Sequence, residues 1–329
     1  MEDILVASIM NAIMGLVDPG KAQAVKTVIS SVASKFEVTL KDHEETDLQD
    51  NKELLQKFLD AKSIEGCSEK TTAYYRKTLE GMIDTVGKPL ITVDTDDLRK
   101  HLSDYQSKNN SSKVTIDNIR RIISSFFSWL EEEDHILKSP ARRIHKIKTD
   151  RIVKEVYTDE ELEKMRDSTT NLRDLALIDI LASTGMRVGE LVTLDKADID
   201  FQNRECVVFG KGNKERKVYF DARAKIHLEE YLESRTDTNE ALFVSLRHPH
   251  SRITINGVES RLKTIGDSLG IKKVHPHKFR RTLATAAIDK GMPVEQLQRL
   301  LGHERIDTTM QYAMVKQSNV KDSHRRYIG

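Results

Sequence analysis

A mainly α-helical, two-domain fold is what this sequence predicts, and three observations predict it. The chain has 329 residues, enough for two cores, with 38% hydrophobic and 32% charged residues but only 5% aromatic ones, a balance suited to well-solvated helices. Apolar residues recur every three or four positions in one segment after another, the spacing that gives a helix one buried stripe. An extended pattern stands out in one place, "ECVVFGKGNKERKVYF". There, β-branched and aromatic runs flank a polar, Gly-rich turn and read as a hairpin.

The elements follow in order. Residues 1–45 read as an acidic helical hairpin suited to a protein–protein contact. "ILVASIMNAIMGLV" is apolar nearly all round, Asp18-Pro19-Gly20 turns the chain, and Val25, Val28, Ile29, Val32 and Phe36 line a second helix. "KDHEETDLQDN" is a charged joint, expected to be flexible. Residues 51–140 form a helical unit. "NKELLQKFLDAK" is amphipathic, Ser68 is placed to N-cap "EKTTAYYRKTLEGMI", and "DDLRKHLSDYQ" is a further helix. In "TIDNIRRIISSFFSWLEEEDHI", Ile116, Ile119, Ile123, Phe126, Phe127 and Leu130 share one face, with Arg120 and Arg121 outside it, and Ser139-Pro140 stops the pattern. Residues 141–156, "ARRIHKIKTDRIVKEV", show no core pattern and read as a basic interdomain linker. Residues 157–329 form the last unit. Thr158 and Glu161 make a capping box, Gly185 stops an apolar helix, the hairpin follows, and "AKIHLEEYLES", "NGVESRLKTIGDSLG", "HKFRRTLATAAIDKG" and "VEQLQRLLGHERIDTTMQY" are helical.

Composition excludes some classes. Two cysteines, Cys67 and Cys206, cannot staple a secreted scaffold. The N-terminus lacks the cationic start of a secretory signal, and its apolar run breaks too early to cross a bilayer, so a cytoplasmic protein with no membrane contact is expected. The net charge of +1 hides a division. Residues 1–60 carry 6 Lys and Arg against 11 Asp and Glu, 61–156 carry 18 against 15, and 157–329 carry 29 against 26. An acidic head masks a mildly basic body, which alone does not identify a DNA binder.

Five separated motifs carry chemistry only when taken together. Arg187 in "TGMRVGEL" could be a surface arginine paired with Glu190, and Lys211 in "GKGNKER" a solvated turn residue. His277 and Arg280 in "HPHKFRRT" sit at i and i+3 on one helix face, where a cap and a salt bridge are the ordinary reading. His303 after a glycine could close a helix, and Tyr312 alone reads as a packing residue. In combination they make a kit for phosphodiester exchange. Guanidiniums bind non-bridging phosphate oxygens, a phenol oxygen serves as nucleophile, and Lys and His move protons.

The blocks "STGMRVGELVTL", "GKGNKERKV", "PHKFRRTLAT" and "LLGHERIDTTMQY" resemble, in order and character, the catalytic blocks of the tyrosine recombinases, the phage-integrase family that includes the Xer recombinases. The resemblance implies that Arg187 and Arg280 clamp the scissile phosphate and that Lys211 is the general acid towards the 5′ oxygen. It implies that His277 assists proton transfer, that His303 hydrogen-bonds the phosphate, and that Tyr312 attacks to leave a 3′-phosphotyrosine. Glu190 matches the acidic position that supports the first arginine. Arg281 stands where many members place a histidine. "SEKTTAYYRKTL" and "IRRIISSFFSWL" resemble more loosely the family's helical core-binding domain, making Lys70, Thr71, Arg76, Arg120 and Arg121 candidate DNA contacts, with Arg142, Arg143 and Lys146 in the basic strap. The implied fold joins that domain to a mostly helical catalytic domain with a small β-hairpin or sheet. The implied partners are a double-stranded recombination site, three further copies in a tetrameric synapse with a Holliday junction, and accessory DNA-bending proteins. No cofactor, metal or ATP is implied.

The acidic head falls outside the resemblance, and its charge opposes an arm-type DNA-binding role. Its presence favours integration and excision of a mobile element over Xer-type chromosome or plasmid dimer resolution. A non-catalytic DNA-binding regulator leaves Arg187, Lys211, Arg280 and Tyr312 unexplained. A type IB topoisomerase-like nicking enzyme would release relaxed circles and no recombinants. A metal site at His248/His250 or His275/His277 lacks completing ligands.

Overall fold

The computed structural model describes residues 19–35, 46–149, 155–210 and 215–312, and the single positions 6, 9, 10, 13 and 324. The chain separates into two compact units, Met1–Arg151 and Ile152–Gly329.

The first unit opens with the head. Of its first expected helix, Val6, Ile9, Met10 and Ile13 are described and helical. The turn is a short 3-10 segment, Pro19–Lys21, leading into helix α1 (Ala22–Ala33). Residues 41–45 of the expected joint lie outside the described residues, and the rest of it is helical. Helix α2 (Thr46–Ile64) begins before Asn51. Asn51 is buried and ties α2 to the next connection, donating to the Lys88 carbonyl (3.0 Å) and accepting from the Leu90 amide (2.8 Å).

Helix α3 (Glu69–Val86) is N-capped by Ser68, and Gly87 closes it in the left-handed conformation. Helix α4 (Thr95–Asn109) starts in an Asp94/Asp97 capping box. Helix α5 (Lys113–Glu132) buries the expected Ile116, Ile119, Ile123, Phe126, Phe127 and Leu130, and with them Ile122 and Trp129. These side chains form one core with Phe58, Leu79, Met82 and Leu98.

Two expectations here are corrected. Arg120 does not stand outside the packed face: its side chain is only 14% exposed, and it donates to Asp117 at 2.8 Å. The stretch after Pro140 does have a core pattern, because Ala141 is buried and Ile144 and Ile147 pack against the same cluster. The Ile147 amide also donates to Asp117 (3.0 Å). Isoleucines three apart were hidden among the basic residues.

The second unit opens with α6 (Asp159–Asp167), in the expected Thr158/Glu161 capping box. Helix α7 (Leu172–Thr184) is buried on almost every side and ends at Gly185. One turn, α8 (Val188–Leu191), precedes an antiparallel sheet of order β1 (Ile199–Asp200), β2 (Glu205–Phe209), β3 (Glu215–Tyr219). The hairpin is as expected. Its two-residue third strand is too short to leave a periodic signal. Helices α9 (Ala222–Glu233), α10 (Ile255–Leu269), α11 (Pro276–Asp289), α12 (Val294–Leu301) and α13 (Ile306–Met310) follow. Leu177, Leu181, Val208, Val218, Leu228, Leu262 and Phe279 belong to the main core, and Ala284, Leu297 and Leu301 to a smaller one. Among the described residues no helix is long and apolar enough to cross a membrane.

Candidate active site

Two glycine helix ends aim backbone carbonyls at one point. Gly185 closes α7 at φ +59 and Gly302 closes α12 at φ +63, a region that glycine enters without penalty. Arg280, in the second turn of α11, spans them. Its guanidinium donates to the Gly185 carbonyl (2.9 Å) and to the Leu301 carbonyl, and the residue is 3% exposed. Arg187, at the start of α8, donates to the Gly302 carbonyl (3.0 Å) and to Glu190 (2.8 Å). Both arginines therefore converge on the α12–α13 turn.

Glu190 is the carboxylate beneath them. It is buried, accepts from the Arg187 amide (2.7 Å), and takes two further bonds from Arg216 of β3 (2.6 and 2.8 Å). Burial alone would raise its pKa. The hydrogen bonds from Arg216 and Arg187 outweigh that and hold the carboxyl below the usual range. Arg216 also donates to the Leu300 carbonyl (3.1 Å), so the hairpin is fastened to α12. A Cβ on Gly302 would lie 2.8 Å from the Arg216 side chain. Sequence reasoning missed Arg216, although a signal existed: it shares strand phase with buried Val218 and so faces inward.

The result is an excess of positive charge. Burial, then Arg187 and Arg216, depress the Arg280 pKa to about 10, with Glu190 and Tyr312 opposing them. His303 feels the same field. Burial, followed by Arg280, Arg187 and Arg216, lowers it to about 4, so its ring is neutral at pH 7. His303 Nδ1 lies 2.8 Å from Thr309 Oγ1, and its ring centroid is 6.1 Å from that of Tyr312. Tyr312 is half-buried and packs against the Ala284, Leu297 and Leu301 cluster, while its amide donates to the Thr309 carbonyl (2.9 Å). His277 is exposed in the first turn of α11. Crowding around its ring and the guanidiniums of Arg280, Arg187 and Arg281 hold its pKa below the ordinary value.

Arg187, Glu190, His277, Arg280, His303 and Tyr312 thus share one electrostatic cluster. Lys211, in the β2–β3 connection, lies outside the described residues. Among the described residues no group of three or more His, Cys, Asp or Glu side chains is placed to hold a metal ion.

The candidate DNA contacts of the first unit divide. Lys70, Arg121, Arg143 and Lys146 are exposed. Thr71 belongs to the Ser68 cap, Arg76 is exposed but donates to Gln56 (2.7 Å), and Arg142 is paired with Glu131 (2.8 Å). Arg120 is held by Asp117.

A family model described as "Phage integrase family" matches residues 153–319, and one described as "Phage integrase, N-terminal SAM-like domain" matches residues 54–136. Tyrosine recombinase XerC of Oceanobacillus iheyensis is 33% identical over 287 residues, covering 81% of this chain and 93% of the relative. Tyrosine recombinase XerC of Herpetosiphon aurantiacus is 32% identical over 278 residues, covering 79% and 90%. Among solved structures, the Tn1549 transposon integrase in complex with a circular intermediate DNA has the same fold, with a TM-score of 0.70 at 19% identity over 83% of this chain and 98% of that one. The chain belongs to the phage integrase family: it is a tyrosine recombinase, a DNA strand-exchange enzyme.

Proposed function

We propose that the chain cuts and rejoins DNA at a specific site, with Tyr312 as nucleophile and Arg187 and Arg280 as the phosphate clamp. One observation carries this reading: the buried Arg280 guanidinium is bonded to main-chain carbonyls, with two further guanidiniums beside it and a single carboxylate, Glu190, among the three. Such a site is incomplete without an anion.

Tyr312 Oη attacks the scissile phosphorus, the P–O5′ bond breaks, and a 3′-phosphotyrosine forms. The phenol proton passes to His277, and Lys211 protonates the departing 5′ oxygen. Arg187, Arg280 and the His303 ring N–H stabilise the charge on the non-bridging oxygens. In the second half of the reaction a 5′ hydroxyl of the exchanging strand attacks the phosphotyrosine and gives its proton to Lys211, the bond from phosphorus to Tyr312 Oη breaks, and His277 returns the proton to Tyr312. Each phosphodiester is traded for a phosphotyrosine, so the cycle runs without ATP or a metal ion.

Four copies, a Holliday junction and accessory DNA-bending proteins belong to this reading, as do DNA contacts from Lys70, Arg121, Arg143 and Lys146. The acidic head docks on a neighbouring copy, a role supported by the exposure of Val28 and Val32 on α1 (62% and 49%). We assign the errand to integration and excision of a mobile element, supported by a head that precedes both family matches. Xer-type dimer resolution is the second reading, favoured by the XerC relatives.

The test is to incubate the protein with fragmented genomic DNA of its source, denature, and sequence DNA that remains covalently attached. One recurrent cleavage site is expected with the native protein and none with Tyr312→Phe. Equal adduct from the variant would refute the assignment.

A further inference from the structure

We infer that Thr309 sets the tautomer of His303, holding its Nε2 as a permanent hydrogen-bond donor towards the phosphate and so barring that ring from accepting the Tyr312 proton. The inference deepens the reading of the site given above and rests on it for the identity of the anion.

It starts from hydrogen-bond accounting. Thr309 is fully buried, 0% exposed, in the short helix α13. Its hydroxyl has one proton and must place it. Helical threonines commonly donate back to the carbonyl four residues earlier, as Thr27, Thr78 and Thr184 do here. Thr309 instead meets His303 Nδ1 at 2.8 Å.

Two arrangements fit that distance. In one, the Thr309 hydroxyl donates to an unprotonated Nδ1, and both groups are satisfied. In the other, Nδ1–H donates to Oγ1, and a fully buried hydroxyl proton is left to find a second acceptor. The first is favoured, because an unplaced buried donor forfeits its hydration with nothing in return. A neutral imidazole has one ring proton, so that proton is on Nε2.

The rest of the turn keeps the ring in place. The His303 amide donates to the Gln298 carbonyl (3.1 Å), and the Gln298 side chain donates back to the His303 carbonyl (3.0 Å). Thr309 also touches the nucleophile's own segment, its carbonyl accepting from the Tyr312 amide. One residue thus orients the donor and anchors the turn bearing the attacking oxygen. Neutral His303 beside three guanidiniums is a donor by position and by tautomer. The proton from Tyr312 therefore goes to another acceptor, consistent with His277. Thr309 is a positioning residue, acting through His303.

The test has two readouts on the full-length protein. The first is the ring nitrogen spectrum of 15N-histidine-labelled protein without DNA, with His303 assigned by its loss in His303→Gln. The Nε2–H form is expected in the native protein and a mixture of tautomers in Thr309→Val. A native Nδ1–H form overturns the inference whatever the enzyme does. The second is the rate of covalent adduct formation on a nicked duplex carrying the captured site. Thr309→Val is expected to slow it by roughly tenfold to a hundredfold with DNA affinity unchanged, and Thr309→Ser to restore it to within about threefold, the scale of losing one preorganised donor. Combining Thr309→Val with His303→Gln should cost no more than His303→Gln alone. Native rates in Thr309→Val, or additive losses in the double variant, overturn the inference. Adduct that persists in Tyr312→Phe refutes the reading of the site instead and leaves the tautomer result standing.

Discussion

Inside the first unit, Phe58, Phe126, Phe127 and Trp129 meet ring against ring at centroid distances of 5.0 to 5.6 Å, and among the described residues its buried polar side chains are Asn51, His101 and Ser139. Inside the second unit, Arg173, Asp174, Asp179, Glu190, Lys278 and Arg280 are all buried. Most of these charges are answered within the fold. Asp174 takes Arg173 and Arg261, Asp179 takes Arg166 and His227, and Lys278 sits 4.3 Å over the Tyr157 ring. Arg280 is the exception: its guanidinium bonds to main-chain carbonyls, and it shares the one nearby carboxylate, Glu190, with Arg187 and Arg216. The first unit is built to be stable. The second is stable around a charge imbalance that a phosphate would relieve.

The largest effect that would break this contrast is expected at Arg280. Arg280→Ala should lower the rate of covalent cleavage by roughly a thousandfold, the loss of a preorganised cation on developing charge. It should change the melting temperature little, because relief of the repulsion from Arg187 and Arg216 offsets the lost bonds to the Gly185 and Leu301 carbonyls. A rate within tenfold of native, or a large drop in melting temperature, would make Arg280 an ordinary structural residue.

Much of this arrangement is legible in the sequence, for identifiable reasons. The α5 stripe from Ile116 to Leu130 and the caps at Ser68 and Thr158 are local patterns that tertiary packing did not override. The site motifs are legible because two arginines, a lysine, two histidines and a tyrosine are an unusual chemical set, whatever the fold does with them. Legibility fails where a side chain's role depends on what crosses over it. Arg216 faces inward and reaches Glu190 across 26 residues. Ile144 and Ile147 find the first unit's core from within a basic run. Thr309 matters only because the turn brings it back to His303. Arg120 is a different failure, since Asp117 at i−3 announced an ion pair.

In the first unit the corresponding break is steric. Phe126→Ala leaves a cavity among Phe58, Phe127 and Trp129 and should destabilise that unit by about 3–5 kcal/mol. Hydrogen exchange should show protection lost across α2 to α5 and kept in α7 and α11. Uniform loss through both units would mean that they unfold as one.

Acid sharpens the contrast. In the unfolded chain His303 protonates near 6.5, and in the folded chain only near about 4. Between those values the unfolded state binds more protons, so stability falls as pH drops from 6.5 towards 4. The loss should be on the order of 2 kcal/mol, allowing for the partial exposure of the ring, and His303→Gln should remove most of it. A stability flat over that range would contradict the account of the positive field.

The smallest effect is at the surface. Arg76 is exposed, with Glu80 3.8 Å away, so Arg76→Gln should change stability by less than about 1 kcal/mol. If Arg76 contacts a phosphate, the same variant should reduce the salt dependence of DNA binding by about one unit of slope. An unchanged slope would remove it from the DNA surface.

The central claim is that the charge imbalance exists to present a phosphate to one phenol. The most direct measurement is to trap the covalent adduct, digest the DNA to a nucleotide stub, cleave with trypsin, and locate the added mass. The account predicts it on the tyrosine of IDTTMQYAMVK, Tyr312. A stub on Tyr327, or on any other residue, would contradict it.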